Sequence, residues 1–144
     1  MFISDHGCIM GEQGQIHKGQ DRLRIQVTRC PLIIRMPEAQ HAGTVVDGFV
    51  QHQDIMPTLL SLINQTVPKR CNGKNFWPLI TKNQPISLRD IIVSGFGWYA
   101  NVRTSDWNYQ TPWTEADNQC PPEPYNRKTD PDELTNVVED HPSI

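Results

Sequence analysis

The residues best suited to chemistry are an acid and an imidazole next to each other near the start of the chain, Asp5 and His6. They follow the apolar residues 1–3 and precede Gly7, a pattern typical of a buried strand that delivers polar groups at its carboxyl end. A carboxylate oxygen and an imidazole nitrogen can bind the same divalent cation. The pair alone fits equally well a loop-capping aspartate beside a surface histidine.

A second candidate group, His17 and Lys18, lies in the glycine-rich loop that follows. The lysine ammonium is a compact charge with three donors, and hydrogen bonds from charged donors to anionic oxygens are among the strong ones. Flanking glycines allow the backbone to approach a ligand closely. The loop therefore suits a tetrahedral oxyanion such as sulfate or phosphate, although a solvated basic turn would have the same composition.

The elements that must position these groups have an α/β pattern in the first part of the chain. Residues 31–37 form a short apolar run bounded by prolines, which predicts a second buried strand, and residues 45–50 predict a third extended segment. Asp54 has the features of a helix N-cap, and the apolar positions after it, up to Ile63, have helical spacing. The polar, proline-rich residues 64–88 predict a connector.

The last third of the chain changes to a strand pattern. Residues 90–94, 98–104 and 107–110 predict short antiparallel strands, with a tight hairpin turn at residues 104–106. Asp130, followed by proline and then by a glutamate at residue 133, predicts the start of a terminal helical turn. The predicted fold class is therefore α/β, with the end of an α/β layer at residues 1–88 and a small antiparallel subdomain at residues 89–144.

Composition excludes several classes of partner. The 144 residues carry a formal net charge of −3, which gives no electrostatic support for a nucleic-acid partner. No apolar run approaches the roughly 20 residues of a membrane span. The cysteines have no zinc-finger spacing, which favours free or buried thiols over a disulfide framework. The compartment stays open between the cytoplasm and the periplasm, because no signal segment is visible.

Several short motifs, in the correct order along nearly the whole chain, resemble the C-terminal part of a sulfatase of the alkaline phosphatase superfamily. The similarity is greatest to the branch of choline sulfatases and phosphonate monoesterases. It implies the end of an alkaline-phosphatase-like α/β domain followed by a small antiparallel subdomain. The motifs are Ser4-Asp5-His6-Gly7, His17-Lys18-Gly19, residues 29–35, residues 53–60, residues 102–109 and Asp130-Pro131-Asp132-Glu133-Leu134-Thr135-Asn136.

The resemblance implies a role for each candidate residue. Asp5 and His6 match the second pair of ligands to a single divalent cation, usually calcium and sometimes manganese. Lys18 matches the lysine that contacts the transferred sulfuryl or phosphoryl group, and His17 either assists it or only shapes the loop. The implied substrate is a small-molecule sulfate ester, and the resemblance leaves open a homo-oligomer in the complete enzyme.

The nucleophile that the resemblance implies has no counterpart in the chain. Sulfatases use a formylglycine made from the first residue of a Cys-x-Pro-x-Arg or Ser-x-Pro-x-Arg motif. None of the four cysteines opens such a motif, and Cys30 has its proline one position too soon. We therefore expect the nucleophile and the other metal ligands upstream, so that these residues are part of a sulfuric ester hydrolase and are inactive alone.

Three alternatives stay open at this level. A phosphonate monoester or phosphodiester hydrolase of the same superfamily would use the same residues, because sulfate and phosphate esters share a tetrahedral centre. A truncated, non-catalytic product would contain the same motifs, as would a subunit that binds a partner supplying the rest of the sheet.

Overall fold

The structure is a computed structural model that describes residues 1–18, 23–81, 87–113 and 121–141. The chain divides into two units, one made of Met1 with Ile33–Asp90 and the other of Phe2–Leu32 with Ile91–Ile144. These units group residues by contact, whereas the predicted boundary at residues 88–89 divides the chain in sequence order. That boundary stays a prediction.

Short elements make up the first part of the chain. The antiparallel pair β2 and β3 places Ile9 opposite His17, across a 3-10 turn at Glu12–Gly14. β1 and β4 form a separate two-stranded sheet. The elements are β1 (Phe2–Ile3), β2 (Ile9–Met10), β3 (Ile16–His17), α1 (Ile25–Thr28) and β4 (Leu32–Ile33).

Two predictions about this part are corrected. The strands at residues 1–3 and 31–37 exist as β1 and β4, but they are not buried, since Phe2 is 61% and Ile33 62% exposed. An apolar run becomes buried only if another element covers it, and no described element covers these two side chains. The third extended segment, residues 45–50, forms no strand, and Val45 is 81% exposed.

The unit of residues 33–90 contains the two longer helices, α2 (Ile55–Leu62) and α3 (Trp77–Thr81). α2 was predicted, and it ends in a Schellman motif: the N–H groups of Asn64 and Gln65 donate back to the carbonyls of Ser61 and Leu60, at 3.1 and 2.8 Å. Asn64 has the positive φ of 56° that this motif requires. The predicted connector contains α3, whose helix the proline-rich pattern concealed.

Asp54 is the N-cap residue of α2, as predicted, but the predicted capping by its carboxylate is wrong. The fully buried Asp54 side chain makes no capping hydrogen bond to α2. Its carboxylate instead accepts the backbone N–H groups of Gln51 at 2.7 Å and Lys74 at 2.8 Å, together with the guanidinium of Arg89. The carboxylate therefore joins three segments of this unit.

The other unit is built on an antiparallel sheet in the strand order β5-β6-β7-β8. The first three strands match the predicted ones, and the Thr104 N–H donates to the Trp107 carbonyl at 2.9 Å to close the predicted turn. β8 was not predicted, because its proline is typical of loops. As an edge strand it tolerates that residue. The strands are β5 (Ile92–Phe96), β6 (Tyr99–Arg103), β7 (Trp107–Pro112) and β8 (Glu123–Asn126).

The end of this unit forms a turn at the predicted helix start. The Glu133 N–H donates to the Asp130 carbonyl at 3.2 Å, but no helix continues from it. Both oxygens of the Asp130 side chain are taken up by the N–H groups of Leu134 and Thr135, at 3.0 and 2.7 Å. Glu133 has a φ of 57°, which a continuing helix does not allow.

The core of this unit combines aromatic and polar side chains. Tyr99 and Tyr125 are buried, and so are the amides of Asn101, Asn108 and Gln110. Two of these amides bind the backbone of one residue, Leu23: Gln110 accepts its N–H at 3.2 Å and Asn101 donates to its carbonyl at 3.4 Å. The sheet therefore holds the residues just before α1. None of the helices described here is long and apolar enough to cross a membrane.

Candidate functional site

The structure places Asp5 and His6 directly after β1, with their side chains facing each other. The His6 backbone N–H donates to Asp5 Oδ1 at 2.9 Å, and Asp5 Oδ2 lies 3.4 Å from His6 Nε2. His6 Nδ1 lies 2.9 Å from the Gly7 carbonyl oxygen, which can only accept a hydrogen bond. The proton of the neutral ring is therefore assigned to Nδ1, and Nε2 carries the lone pair.

Lys18 completes the group, because its Nζ is hydrogen-bonded to His6 Nε2. The side chains of Asp5 and His6 are 84% and 40% exposed, so a solute can reach them. Three of the four predicted site residues thus lie together. β3 brings the His17 backbone next to β2, and the His17 side chain lies outside what the structure describes.

The local charges favour an ionised Asp5. The His6 backbone N–H lowers the pKa of the Asp5 carboxyl most strongly, and the charge of the Lys18 ammonium lowers it further. Asp5 is therefore a carboxylate at neutral pH. A negative oxygen and a neutral imidazole nitrogen are donor types that divalent cations bind.

The pair is fixed by its attachment to α1. The Gly7 N–H donates to the Val27 carbonyl at 2.8 Å. A Cβ atom on Gly7 would lie 1.9 Å from the carbonyl oxygen of Gln26, so only glycine allows this approach. The residue after the pair is thus held against a helix.

The donor set fits a divalent cation in part. A histidine that donates from Nδ1 to a carbonyl is oriented as metal-ligating histidines usually are. Two ligands are nevertheless too few for calcium, which takes about six to eight oxygens. Across residues 1–18, 23–81, 87–113 and 121–141 there is no cluster of three or more histidine, cysteine, aspartate or glutamate side chains that could hold a metal ion.

Cys30, which lies near this group, is unsuited to nucleophilic attack. Burial raises the pKa of the Cys30 thiol, and the charge of Asp5 raises it further, so the reactive thiolate is disfavoured. Cys8, Cys30 and Cys71 are free thiols, as predicted. Cys120 lies outside the described residues.

Comparison with known proteins identifies the family. The profile of the family described as "N-sulphoglucosamine sulphohydrolase, C-terminal" matches residues 20–143. The chain belongs to this family of sulfatase C-terminal domains. The resemblance found in the sequence is thereby confirmed.

Curated sulfatases align with nearly the whole chain. The chain is 30% identical over 149 residues to the uncharacterized sulfatase YidJ of Escherichia coli (strain K12), an alignment that covers 97% of this chain and 28% of the relative. It is 26% identical to the N-acetylglucosamine-6-O-sulfatase of Bacteroides thetaiotaomicron, with 95% and 26% covered. The chain thus spans little more than a quarter of these relatives.

Solved structures agree on the fold. The structure of BT4656 in complex with its substrate D-glucosamine-2-N,6-O-disulfate is similar with a TM-score of 0.80 and 25% identity, covering 94% of this chain and 29% of that one. The phosphonate monoester hydrolase of Agrobacterium radiobacter is similar with a TM-score of 0.79 and 26% identity, covering 96% and 30%. The predicted fold class, the C-terminal region of an alkaline-phosphatase-like enzyme, is confirmed.

The family profile does not reach the candidate site, because its match begins at residue 20. The roles of Asp5, His6, His17 and Lys18 therefore stay predictions. Within the matched sulfatase region lies a buried ion pair between Arg103 and Glu133 that no local sequence pattern predicted. Glu133 lies in the Asp130–Asn136 motif, and an acid in a motif of that kind was the available signal.

Proposed function

We propose that these residues form part of a sulfuric ester hydrolase, in which Asp5 and His6 hold a divalent cation and Lys18 binds oxygens of the transferred group. The proposal is supported by one observation: the carboxylate of Asp5, the imidazole of His6 and the ammonium of Lys18 lie next to one another where solvent can reach them. Lys18 Nζ is hydrogen-bonded to His6 Nε2. A divalent cation and an ammonium side by side suit the negative oxygens of a sulfate ester.

Each side chain has a separate part in the proposal. His6 directs Nε2 outward because its Nδ1–H is held by the Gly7 carbonyl, and Asp5 supplies a negative oxygen. Lys18 would turn from His6 to the substrate when the cation takes Nε2. A bound calcium or manganese ion would stabilise negative charge that develops on the sulfuryl oxygens. His17 either assists Lys18 or only shapes the loop that carries it.

The nucleophile in this proposal is a formylglycine supplied by residues other than these 144, since no Cys-x-Pro-x-Arg motif is present. The purified chain is therefore expected to release no nitrophenol from 4-nitrophenyl sulfate, with or without added calcium. Turnover by the chain alone would contradict this part of the proposal.

A phosphonate monoester hydrolase is the second candidate. It is supported by the similarity to the Agrobacterium radiobacter enzyme at a TM-score of 0.79. The same cation and lysine would bind either tetrahedral group, so the two candidates differ in the anion that Lys18 prefers.

For the sulfatase candidate, the names of two similar proteins favour a sulfated glucosamine as the substrate. One is the N-acetylglucosamine-6-O-sulfatase of Bacteroides thetaiotaomicron, and the other is BT4656 in complex with D-glucosamine-2-N,6-O-disulfate.

The direct test uses manganese as a paramagnetic probe. On the folded, ¹⁵N-labelled chain, low concentrations of Mn²⁺ should broaden the amide signals of residues 5–8 and 16–18 before others. Asp5→Asn and His6→Gln should remove this preference. The control variant Asp106→Asn changes an exposed carboxylate that pairs with Lys128, and it should leave the broadening unchanged.

Sulfate and methylphosphonate titrations in the presence of calcium then test Lys18. Shifts at residues 16–18 that Lys18→Met abolishes are expected, and the anion with the tighter apparent Kd separates the two candidates. Equal broadening over all exposed carboxylates of a folded chain would overturn the cation site.

A further inference from the structure

Among the described residues of its unit, Glu133 is the charged group with the lowest solvent exposure. Its side chain is fully buried, and Oε1 accepts a hydrogen bond from Arg103 Nη2 at 2.7 Å. Oε2 accepts a hydrogen bond from the backbone N–H of Ile25 at 3.1 Å, and the Glu133 carbonyl accepts one from Arg24 Nη1 at 2.7 Å. One residue thus binds the β6 strand end and the beginning of α1.

This arrangement carries two costs. Burying an ion pair removes both charges from water, and an apolar pair of the same volume often stabilises a fold equally well. Glu133 also has a φ of 57°, a conformation that is unfavourable for residues with a Cβ. Because an apolar pair would stabilise the fold equally well, these two costs favour a role beyond stability.

Hydrogen bonds continue from Glu133 to the candidate site. Ile25, which Glu133 binds, is the first residue of α1. Two residues later, the Val27 carbonyl accepts the Gly7 N–H at 2.8 Å. The Gly7 carbonyl in turn accepts the Nδ1–H of His6 at 2.9 Å. After the Glu133 carboxylate, each step joins backbone or ring atoms, so a shift of α1 is expected to change the direction of the His6 ring.

We propose that Glu133 is a positioning residue for the Asp5–His6 pair, acting through α1 and Gly7. The importance of this positioning for activity rests on the proposed function, whereas the positioning itself does not. Loss of the Glu133 carboxylate releases the Ile25 N–H, loosens the contact between α1 and Gly7, and frees the His6 ring from its fixed tautomer.

The chain offers a matched control in Glu123. This residue also interacts with Arg24, at 3.4 Å, but its other hydrogen bond comes from the Tyr125 hydroxyl at 2.5 Å. No hydrogen bond described for Glu123 goes to the α1 backbone. Glu123→Gln therefore weakens an ion pair of Arg24 and leaves the hydrogen bonds between Glu133, α1, Gly7 and His6 unchanged.

The experiment compares the full chain with Glu133→Gln and Glu123→Gln, without metal. Amide hydrogen exchange is measured at Gly7 and at Trp113, whose N–H donates to the Trp98 carbonyl at 3.0 Å and reports general loosening of the sheet. Ring ¹⁵N shifts report the His6 tautomer. Glu133→Ala provides a second, larger change.

In Glu133→Ala, which removes both side-chain acceptors, we expect exchange at Gly7 to accelerate roughly tenfold relative to Trp113, as loss of the hydrogen bond to the Ile25 N–H predicts, with a mixed His6 tautomer. Glu133→Gln keeps one acceptor oxygen and should accelerate exchange at Gly7 by a smaller factor. Glu123→Gln should leave both readouts as in the wild type. Equal acceleration at both amides, or no change at Gly7 in either Glu133 variant, would overturn the proposal. Failure of Mn²⁺ to bind the wild type would instead contradict the proposed function.

Discussion

Gly7 and Gln26 lie in closer backbone contact than any residue with a Cβ could allow. A Cβ atom on Gly7 would lie 1.9 Å from the Gln26 carbonyl oxygen, and the Gly7 N–H is bound to the next residue, Val27, at 2.8 Å. The obstacle is backbone rather than a flexible side chain, so the strand end or α1 must move. This close contact between Gly7 and α1 fixes the position of the preceding residues, Asp5 and His6.

Gly7→Ala is therefore expected to displace the Asp5–His6 pair and to lower the free energy of unfolding by about 1–3 kcal/mol, the usual range for overpacking. The variant should also lose the preferential Mn²⁺ broadening at residues 5–8. Denaturant unfolding and the paramagnetic titration measure the two effects.

Gly43→Ala is the matched control for this change. Gly43 has open space around a Cβ but a φ of 79°, so its substitution carries only the backbone cost of a positive φ. It should lose some stability and keep the Mn²⁺ response. If Gly7→Ala also kept the full Mn²⁺ response, the close approach would not be what positions the pair.

Local patterns were sufficient for part of the fold. The helical spacing after Asp54 predicted α2, and the alternation in residues 90–110 predicted three strands of the sheet and their turn, because those signals lie within about ten residues. They also brought Asp5, His6 and Lys18 forward as candidates, and these side chains lie together in the structure.

The failures share a physical reason, which is that the partner lies far away in sequence. Asp54 has the type and spacing of a cap, but its guanidinium partner Arg89 is 35 residues later. Glu133 was interpreted as part of a helix start, yet it binds Ile25, 108 residues earlier. No local window contains both members of such a pair.

The buried pair of Asp54 and Arg89 gives a second prediction. The Arg89 nitrogens lie 2.5 and 2.7 Å from the two carboxylate oxygens, and both side chains are largely buried. Arg89→Met leaves the charge of Asp54 buried without its partner, which is expected to lower the free energy of unfolding by about 3–5 kcal/mol. The exposed pair of Lys128 and Asp106, also at 2.7 Å, is the control, and Lys128→Met should cause no measurable loss.

The same pair predicts a pH dependence. Burial is the largest single effect on the pKa of Asp54 and raises it, but the hydrogen bonds from Arg89, Lys74 and Gln51 together outweigh it, so the pKa lies below the ordinary value of 3.8. A lowered carboxyl pKa contributes stability that is present above the unfolded-state pKa and is lost as the pH falls through the folded-state pKa.

In Arg89→Met, burial still raises the pKa of Asp54, but the hydrogen bonds from Arg89, which lower this pKa most strongly, are lost. The pKa of Asp54 should then rise, and protonation should relieve the unpaired charge. The stability difference between wild type and Arg89→Met is therefore expected to be largest at pH 7 and to shrink toward pH 3.5. Urea unfolding at pH 7, 5 and 3.5 measures it, and a difference that stays constant over this range would contradict the assigned pKa.

Asp130 supports the turn that carries Glu133, and this gives the last prediction. Its two carboxylate oxygens accept the N–H groups of Leu134 and Thr135, and its carbonyl accepts the Glu133 N–H. Asp130→Ala removes both side-chain acceptors and should cost about 1 kcal/mol, as the loss of a comparable cap does. Asp130→Asn keeps one acceptor and should cost less.

Unlike a residue that only caps a surface turn, Asp130 is expected to affect the Asp5–His6 pair through Glu133. Because Glu133 holds Ile25 from this turn, Asp130→Ala should accelerate amide exchange at Gly7 in the same direction as Glu133→Ala, but by a smaller factor, since the Glu133 carboxylate is still present. If Asp130→Ala lost the expected stability while Gly7 exchange stayed at the wild-type rate, the turn would be independent of the path to His6. Glu133 would then be placed by Arg103 and Arg24 alone.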